Sequence, residues 1–516
     1  MRSSASLLTR PDFLVSAGLV AGFSLVAVIW GYVLALGRPN LIGAAIGVLL
    51  GLILLKFERL IIWIILVGTL LVSGPVVAEL PALSKLPWLF ALLGFLMIGV
   101  AILYGALDRK VQPGKMPSFF YLAAIIPIYG VLSLFWSKGY LTEGIYGIKR
   151  YYQYWGLLLA FCIIPFSGET VRKWWKFLVA LAVLQVPMAL YQRLIIVPRL
   201  EGKPGFIALD GVSGTFEVDR AGGGSSSIMV FFCLIIFAYV LSLYRTRTIT
   251  FGNFALIAAC CIAPLLLGET KIVIVFLPLT LIAVFGDWIS SRPFMFLMLC
   301  VLMLLMVVGL LWLYLVVQVT DSREMSLYER FQSIVSYNFG KAGHNRVGGL
   351  NRSTALTFWW SKHGAADPVA MMFGHGLGSS LDGEAVSGFI ERRYPGISVG
   401  LTTASTLLWD LGLVGLLMFL GMLFGATLAA IRLARKATLP HDVALCRALV
   451  ASMFMQLVHV FYSNSQIGIV SFQVLVSVTM GLVAWRARTG GWQAGSSARA
   501  VHQRASVRGM AGLRGA

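Results

Sequence analysis

Runs of apolar residues recur along almost the whole chain. Each run is long enough for an α-helix, rising about 1.5 Å per residue, to cross about 30 Å of hydrocarbon. The pattern therefore predicts an all-α polytopic membrane protein with about 14 transmembrane helices. The runs cover residues 13–36, 40–55, 60–78, 87–107, 118–136, 151–166, 177–197, 225–244, 252–268, 271–286, 294–318, 402–431, 443–463 and 466–485. One interruption, residues 319–401, predicts a large loop on one side of the membrane.

The positions of lysine and arginine test this helix count. If the N-terminus is cytoplasmic, every second connection should be basic. Those connections and both termini hold about 23 of the 41 basic residues and about 6 of the 21 acidic residues. The other face holds about 18 basic and about 15 acidic residues. The sequence therefore predicts an inner-membrane protein with cytoplasmic N- and C-termini and the large loop on the outer side.

The composition indicates a protein surrounded by lipid and argues against several other classes of protein. Charged residues make up 12% of the chain, against about a quarter in soluble domains. The net charge of +20 lies mainly where the topology requires it, so nucleic acid is not a predicted partner. All six cysteines fall in or beside apolar runs, which argues against a disulfide framework. No metal cluster and no P-loop occurs, so no cofactor is predicted. The basic tail, residues 486–516, is expected to be disordered near anionic headgroups.

Candidate chemistry gathers on the predicted outer face. The loop at about 198–224 contains Gly214-Thr-Phe216 and Arg220, and glycines there permit close approach to a ligand. The turn Gly268-Glu-Thr-Lys271 places a cation at the start of a helix, where the dipole disfavours it. Lys149-Arg150 precedes another apolar run. A flexible connection and snorkelling cations stay open as simpler interpretations of these stretches.

The long loop carries the third group of candidates. Arg352, Trp359 and His363 are at helical spacing and so share a face. A glycine-spaced turn, Gly374-His375-Gly376-Leu-Gly378, follows and brings backbone amides and an imidazole to one point. The next predicted helix, residues 402–431, carries the stretch Leu407-Leu-Trp-Asp410-Leu-Gly412-Leu-Val-Gly415, where small residues permit close helix packing.

The order of these motifs resembles the O-antigen ligase and polymerase superfamily. Arg352 before a Trp-containing helix, the Phe373–Gly378 turn and Asp410-Leu-Gly412-x-x-Gly415 carry the resemblance. Gly214-Thr-Phe216 and Thr270-Lys271 extend it upstream. It covers residues 197–485, including the loop 319–401, and leaves residues 1–196 as N-terminal transmembrane helices.

The resemblance implies a metal-independent glycosyltransferase that takes glycan from a polyprenyl diphosphate carrier at the periplasmic face. Fixed cations would neutralise the diphosphate leaving group, and arginine forks match phosphate oxygens. The expected partners are an undecaprenyl-diphosphate-linked oligosaccharide and membrane lipid, with a flippase and a chain-length regulator as further candidates. The expected catalytic residues are Arg352, Arg220, Lys271 and His375, and the expected substrate-binding residues are Arg150, Arg346, Trp359, Gly374, Gly376 and Asp410.

This sequence departs from the family at one position. Ligases and many of their relatives carry histidine followed by Asn, Ser or Gln eleven residues before the Gly-x-x-Gly pair, and here Leu401 is followed by Thr402. The usual candidate base is absent, with His375, His344 and His363 as candidate substitutes. We therefore expect a polymerase of lipid-linked repeat units in surface polysaccharide synthesis.

Two alternatives stay open. One is ligase-type transfer of glycan to an acceptor lipid. The other is a non-enzymatic transporter of polysaccharide or lipid-linked sugar, which usually has ionisable groups in mid-membrane or paired broken helices.

Overall fold

The structure, a computed structural model, describes most of the chain beyond residue 56. The described ranges are residues 57–80, 83, 86–107, 115–200, 211–216, 225–268, 270–317, 328–329, 332, 335, 350–363, 367–383 and 386–490. The chain divides into two compact units, Met1–Ile61 and Ile62–Ala516, and only residues 57–61 of the first are described. The described residues form helices joined by turns, with no β-strand among them. The all-α prediction is confirmed for this part of the chain.

The helices are numbered here in chain order. They are α1 Glu58–Glu79, α2 Leu86–Leu107, α3 Ser118–Leu132, α4 Leu141–Tyr152, α5 Trp155–Ile163, α6 Gly168–Arg199, α7 Ser225–Arg245, α8 Phe251–Leu267, α9 Val273–Phe285, α10 Trp288–Ser291, α11 Pro293–Val317, α12 Arg352–His363, α13 Pro368–Phe373, α14 Phe389–Arg393, α15 Thr403–Lys436, α16 Pro440–His459, α17 Ser465–Gly468 and α18 Val470–Thr489. Helices α1 and α6 each contain a π-helical turn, at Gly68–Val72 and Gln192–Ile196.

Nine helices in the described ranges are long and apolar enough to cross a membrane: α1, α2, α3, α6, α7, α11, α15, α16 and α18. Helices α8 and α9 are apolar but shorter. The protein therefore has the character of a multi-pass membrane protein. Most predicted runs agree with these helices within a few residues; residues 87–107, for example, correspond to Leu86–Leu107. The first two predicted runs, 13–36 and 40–55, lie outside the described residues.

The predicted helix over residues 151–166 is wrong as a single element. Helix α4 ends at Tyr152, α5 begins at Trp155, and Tyr154 between them has non-helical angles, φ −117° and ψ 10°. The break lies where α2 packs tightly, since a Cβ added at Gly94 would overlap the carbonyl oxygen of Gln153. A continuous helix was expected because this stretch is apolar on every side, and apolarity alone does not reveal a break.

The helices differ sharply in how much of their surface is buried inside the protein. Helix α7 is the central helix, with 94% of its apolar window buried inside the protein, whereas α11 has 6% of its window buried. A helix that is hydrophobic on all sides is normally buried or exposed to lipid. The position of α11 therefore matches a helix whose surroundings are hydrocarbon.

The two ends of the bundle have different chemistry. At one end Arg245 forms a bidentate pair with Asp287, and Arg447 lies 3.4 Å from the same carboxylate. Arg486 pairs with Asp442, and Asp442 lies on the same helix as Arg447. The opposite end, called here the loop end, contains α4, the described residues 350–363, 367–383 and 386–402, and the 460–468 turn.

Residues 211–216 form a buried segment inside the bundle. Gln192 Oε1 accepts hydrogen bonds from the main-chain N–H groups of Ser213 and Gly214, and its Nε2 donates to Gly214 O. Gln185 binds the N–H and the hydroxyl of Thr215, whose hydroxyl donates to Leu70 O in α1. Irregular backbone is stable at such depth only when the protein satisfies its polar groups. Gly214-Thr-Phe216 is therefore a packed structural element, which excludes a flexible connection at these residues.

Candidate functional site

A cavity of about 490 Å³ opens at the loop end, within the range of about 300–1,000 Å³ typical of small-molecule sites. Helix α2, helix α4, the start of α7, the turn before α18 and the loop after residue 380 all contribute to its wall. The lining residues are Val77, Pro87, Trp88, Tyr146, Lys149, Arg150, Gln153, Ser225, Leu381, Asp382, Gly468, Ile469 and Val470.

Two adjacent cations give the cavity its positive charge. The Lys149 amine lies 3.0 Å from the centroid of the Trp88 ring, a cation–π contact that fixes its direction. Arg150 lies beside Gly468, and no described carboxylate is within 4.0 Å of its guanidinium. Both residues stand in the last turn of α4, where the helix dipole favours positive charge. The cavity therefore presents a guanidinium whose charge no neighbouring carboxylate in the described structure neutralises.

Asp410 joins the cation-bearing helix to the glycine turn of the loop. Its side chain is 1% exposed. Oδ2 accepts from the Tyr151 hydroxyl (2.9 Å) and Gly378 N (3.2 Å), and Oδ1 accepts from Ser380 N (2.7 Å) and Ser379 Oγ (2.9 Å). Tyr151 follows Arg150 in α4. Asp410 therefore fixes the position of residues 378–380 relative to Arg150 without lining the cavity.

Two glycines make a close backbone contact between the loop and α15. Gly374 and Gly412 have nearly identical angles, φ 73° and ψ −169° against φ 68° and ψ −168°. A Cβ on Gly374 would overlap Asp410 O, and a Cβ on Gly412 would overlap Met372 O. The N–H groups of His375 and Gly376 then donate to Trp409 O and Asp410 O. Only glycine fits both positions, since side chains at such φ are strained.

Glu143 makes a second connection between α4 and the loop. It is 2% exposed and accepts hydrogen bonds from Tyr140 N, Phe389 N and the Arg392 guanidinium. Gly147, one turn further along α4, lies against the backbone of Leu377 and Gly378. The loop residues that border the cavity are thus packed on the helix that carries the cations.

Arg352 lies on the other side of the 460–468 turn. Its Nε donates to Tyr462 O at 2.7 Å, and its guanidinium stands 4.3 Å from the centre of the Tyr462 ring. Asn464 in the same turn binds Gly400 O, and Gly468 at its end borders Arg150. Arg352 and Arg150 therefore contact the two ends of one turn, although Arg352 is not among the cavity-lining residues.

The two loop histidines form a buried pair. His363 Nδ1–H donates to Trp359 O (3.0 Å), so its Nε2 is the acceptor for His375 Nε2–H at 2.8 Å. Burial, reinforced by the neighbouring His363, lowers the pKa of His375 to about 4. Burial likewise lowers the pKa of His363. Trp409 packs against both rings. This arrangement holds both imidazoles neutral and places them in the loop core.

The other predicted site residues have different positions. Trp359 is buried, and its indole N–H donates to Leu408 O. Lys271 lies in the turn between α8 and α9, and neither residue lines the cavity. Leu401 directly precedes Thr402, which caps α15. Arg220, Arg346 and His344 lie outside the described residues. Of the ten predicted site residues, the structure therefore places Arg150 in the cavity wall, while Trp359, Gly374, Gly376 and Asp410 form the framework behind it.

Several important residues escaped the sequence analysis. Asp382 and Trp88 line the cavity, Glu143 fastens the loop, and Gln185 and Gln192 hold the buried segment. The two glutamines carried a signal, because polar side chains seven residues apart in an apolar run mark a helix face with polar partners. Asp382 and Trp88 had none, since their positions depend on contacts between distant segments.

The site offers no obvious place for a metal ion. No group of three or more His, Cys, Asp or Glu side chains in the described structure could hold one. The cysteines are free, and most are buried. The donor set of the cavity consists of two cations, one carboxylate and neutral groups, which suits a polyanion better than a divalent cation.

Comparison with known proteins adds no identity. No protein-family model matches the chain, and no curated protein matches it either.

Proposed function

We propose that this protein polymerises polyprenyl-diphosphate-linked oligosaccharide repeat units into a surface polysaccharide at the periplasmic face of the bacterial inner membrane. The observation that carries the proposal is the cavity containing Lys149 and Arg150, with no described carboxylate pairing with Arg150. A diphosphate is a ligand of matching charge, and an arginine fork binds its oxygens in bidentate geometry. The cavity alone does not indicate a glycan substrate. That part of the proposal rests on the order of the sequence motifs, which resembles the O-antigen ligase and polymerase superfamily.

The proposed topology has 14 transmembrane helices, cytoplasmic termini and residues 319–401 in the periplasm. Arg245, Arg447 and Arg486 stand together at one end of the bundle, as the positive-inside rule expects for a cytoplasmic face. The cavity opens at the other end. A lipid carrier exposes its diphosphate at the headgroup level, and cations at a helix end can reach that level.

The chemistry requires charge neutralisation more than covalent catalysis. When the glycosidic bond to the carrier breaks, negative charge grows on the departing diphosphate. Cations that the protein holds in fixed positions stabilise that charge more strongly than water does, and losing one such group costs about 10²–10³ in rate. Arg150 and Lys149 are the groups placed for this role. Arg352 lies at the far end of the adjoining turn, where it can position the 460–468 segment.

Complementation of a deletion strain tests the proposal. Without the protein, single repeat units should accumulate on the carrier, detected by mass spectrometry of lipid-linked glycans. Arg150→Ala should reproduce this loss of polymer at normal membrane abundance, and Arg150→Lys should restore only part of it. Arg172→Ala is the control, because Arg172 is an exposed arginine away from the cavity. Full-length chains retained on the carrier would instead identify a ligase, and normal polymer from Arg150→Ala would remove the proposed role of the cavity.

A further inference from the structure

One carboxylate shares the cavity with the two cations. Asp382 is the only acidic residue among the described residues that line it. Its side chain is exposed and forms no ion pair with Lys149 or Arg150 within 4.0 Å. The described partner of its carboxylate is the Ser398 hydroxyl, at 3.4 Å. The cavity therefore contains both positive and negative side chains, and Asp382 forms no ion pair with either cation.

The position of Asp382 is set by the same network that positions Arg150. Asp410 binds Ser380 N, two residues before Asp382, and also binds Tyr151, the neighbour of Arg150. Leu381 N donates to Gly378 O, and Gly388 N donates to Leu381 O. Both main-chain polar groups of Leu381, the residue directly before Asp382, are therefore hydrogen-bonded. Such support is what a reacting group needs, since effective catalysis depends on fixed geometry.

We infer that Asp382 is the general base that accepts the proton of the acceptor hydroxyl during glycan transfer. The inference rests on the proposed function. The acceptor hydroxyl oxygen attacks the anomeric carbon of the donor sugar and forms the new glycosidic bond, while its proton passes to the Asp382 carboxylate. The bond between that carbon and the phosphate oxygen breaks, and its electron pair leaves with the polyprenyl diphosphate. Arg150 and Lys149 neutralise the negative charge of the leaving group, and Asp382 then releases its proton to water.

Other candidate bases fit the geometry less well. The Nε2–H of His375 is committed to His363, and neither ring lines the cavity. Glu391 is 7% exposed and lies outside the lining. Leu401, at the position where related ligases carry histidine, has no proton-accepting group. A carboxylate in the cavity therefore replaces the histidine that the sequence lacks.

The test separates substrate binding from transfer in the full-length protein purified in detergent. Binding of undecaprenyl diphosphate is measured by native mass spectrometry, and transfer is measured with the lipid-linked repeat unit. Asp382→Asn keeps the shape of the side chain and removes the base, so transfer should fall by about 10²–10⁴. Binding should persist or tighten, because a negative charge leaves the cavity. Asp382→Glu should recover part of the transfer rate.

Asp367→Asn provides the matched control. Asp367 belongs to the same loop, lies outside the cavity and caps α13 by accepting a hydrogen bond from Ala370 N, and asparagine caps helices equally well. Its transfer rate should be that of the wild type. If Asp382→Asn transfers glycan normally while the wild type binds undecaprenyl diphosphate, the assignment of the base is wrong and the proposed function stands. If the wild-type protein binds no undecaprenyl diphosphate, the proposed function itself fails.

Discussion

Replacing Asp410 with asparagine should both destabilise the protein and slow its reaction. The carboxylate accepts four hydrogen bonds, two at each oxygen. In asparagine one oxygen becomes an NH₂ group, which cannot accept. At either oxygen one of the two donors is a hydroxyl that can rotate and become the acceptor, but the other is a main-chain N–H that cannot. One buried N–H, of Gly378 or of Ser380, must therefore lose its partner.

The size of the stability loss follows from the one buried N–H that loses its hydrogen-bond acceptor. A buried donor without a partner costs about 1–3 kcal/mol, and the surviving bonds weaken because the acceptor is no longer charged. The effect on activity arises because Asp410 fixes the relative positions of residues in the site. Asp410 links Tyr151, beside Arg150, to Ser380, near Asp382, and a misplacement of about 1 Å between reacting groups can cost about 10²-fold in rate. We expect a lower unfolding midpoint together with roughly that loss of glycan transfer.

The assay compares thermal unfolding and transfer for four variants in the same detergent: Asp410→Asn, Tyr151→Phe, the double variant of these two, and Tyr152→Phe. Tyr151→Phe removes one donor to Asp410, so its effect and that of Asp410→Asn should be less than additive. Tyr152→Phe is the control, since its hydroxyl donates to Ile126 O and makes no hydrogen bond to Asp410. It should cost some stability, about 1 kcal/mol, and leave transfer unchanged. Wild-type stability and turnover in Asp410→Asn would refute this account of the network.

Two further predictions concern the loop. Gly412→Ala should lower stability by more than the about 1–3 kcal/mol that a side chain costs at these backbone angles, because its Cβ would also overlap Met372 O. Gly99→Ala, in open space within α2, should instead be neutral or stabilising. The pKa of buried His375 is lowered to about 4, so the unfolded state gains protons first as pH falls below about 6.5. The stability contributed by the neutral pair is therefore complete above pH 6.5 and is lost progressively toward pH 4. Unfolding midpoints recorded from pH 8 to pH 5 should show this slope, and His375→Gln should reduce it; a flat wild-type profile would contradict the buried neutral pair.

Much of the helical architecture could be predicted from apolar run length. Helices α2, α7 and α11 begin and end within a few residues of their predicted bounds because lipid requires long uninterrupted apolar segments. The break between α4 and α5 could not be predicted in this way. It depends on the approach of Gly94 to Gln153, which is a contact between separate helices.

The candidate site was only partly accessible to the same reasoning. Arg150 was found because it directly precedes an apolar run on the predicted outer face. Gly374, Gly376 and Asp410 were noticed through their spacing. Their framework role, however, depends on hydrogen bonds and close backbone contacts between segments at least 30 positions apart in the chain. Asp382 had no local signature, since an aspartate beside glycine in a loop usually marks a turn. Its interest comes from the cavity that α4 and the 468–470 turn complete.

The central claim is that Lys149 and Arg150 hold the diphosphate of a lipid carrier. A cryo-electron microscopy map of the full-length protein in nanodiscs with undecaprenyl diphosphate tests this most directly. The account predicts diphosphate density inside the cavity, with oxygens about 2.7–2.9 Å from the Arg150 guanidinium and the Lys149 amine. Density bound elsewhere on the protein, or a cavity that stays empty at saturating carrier, would contradict it.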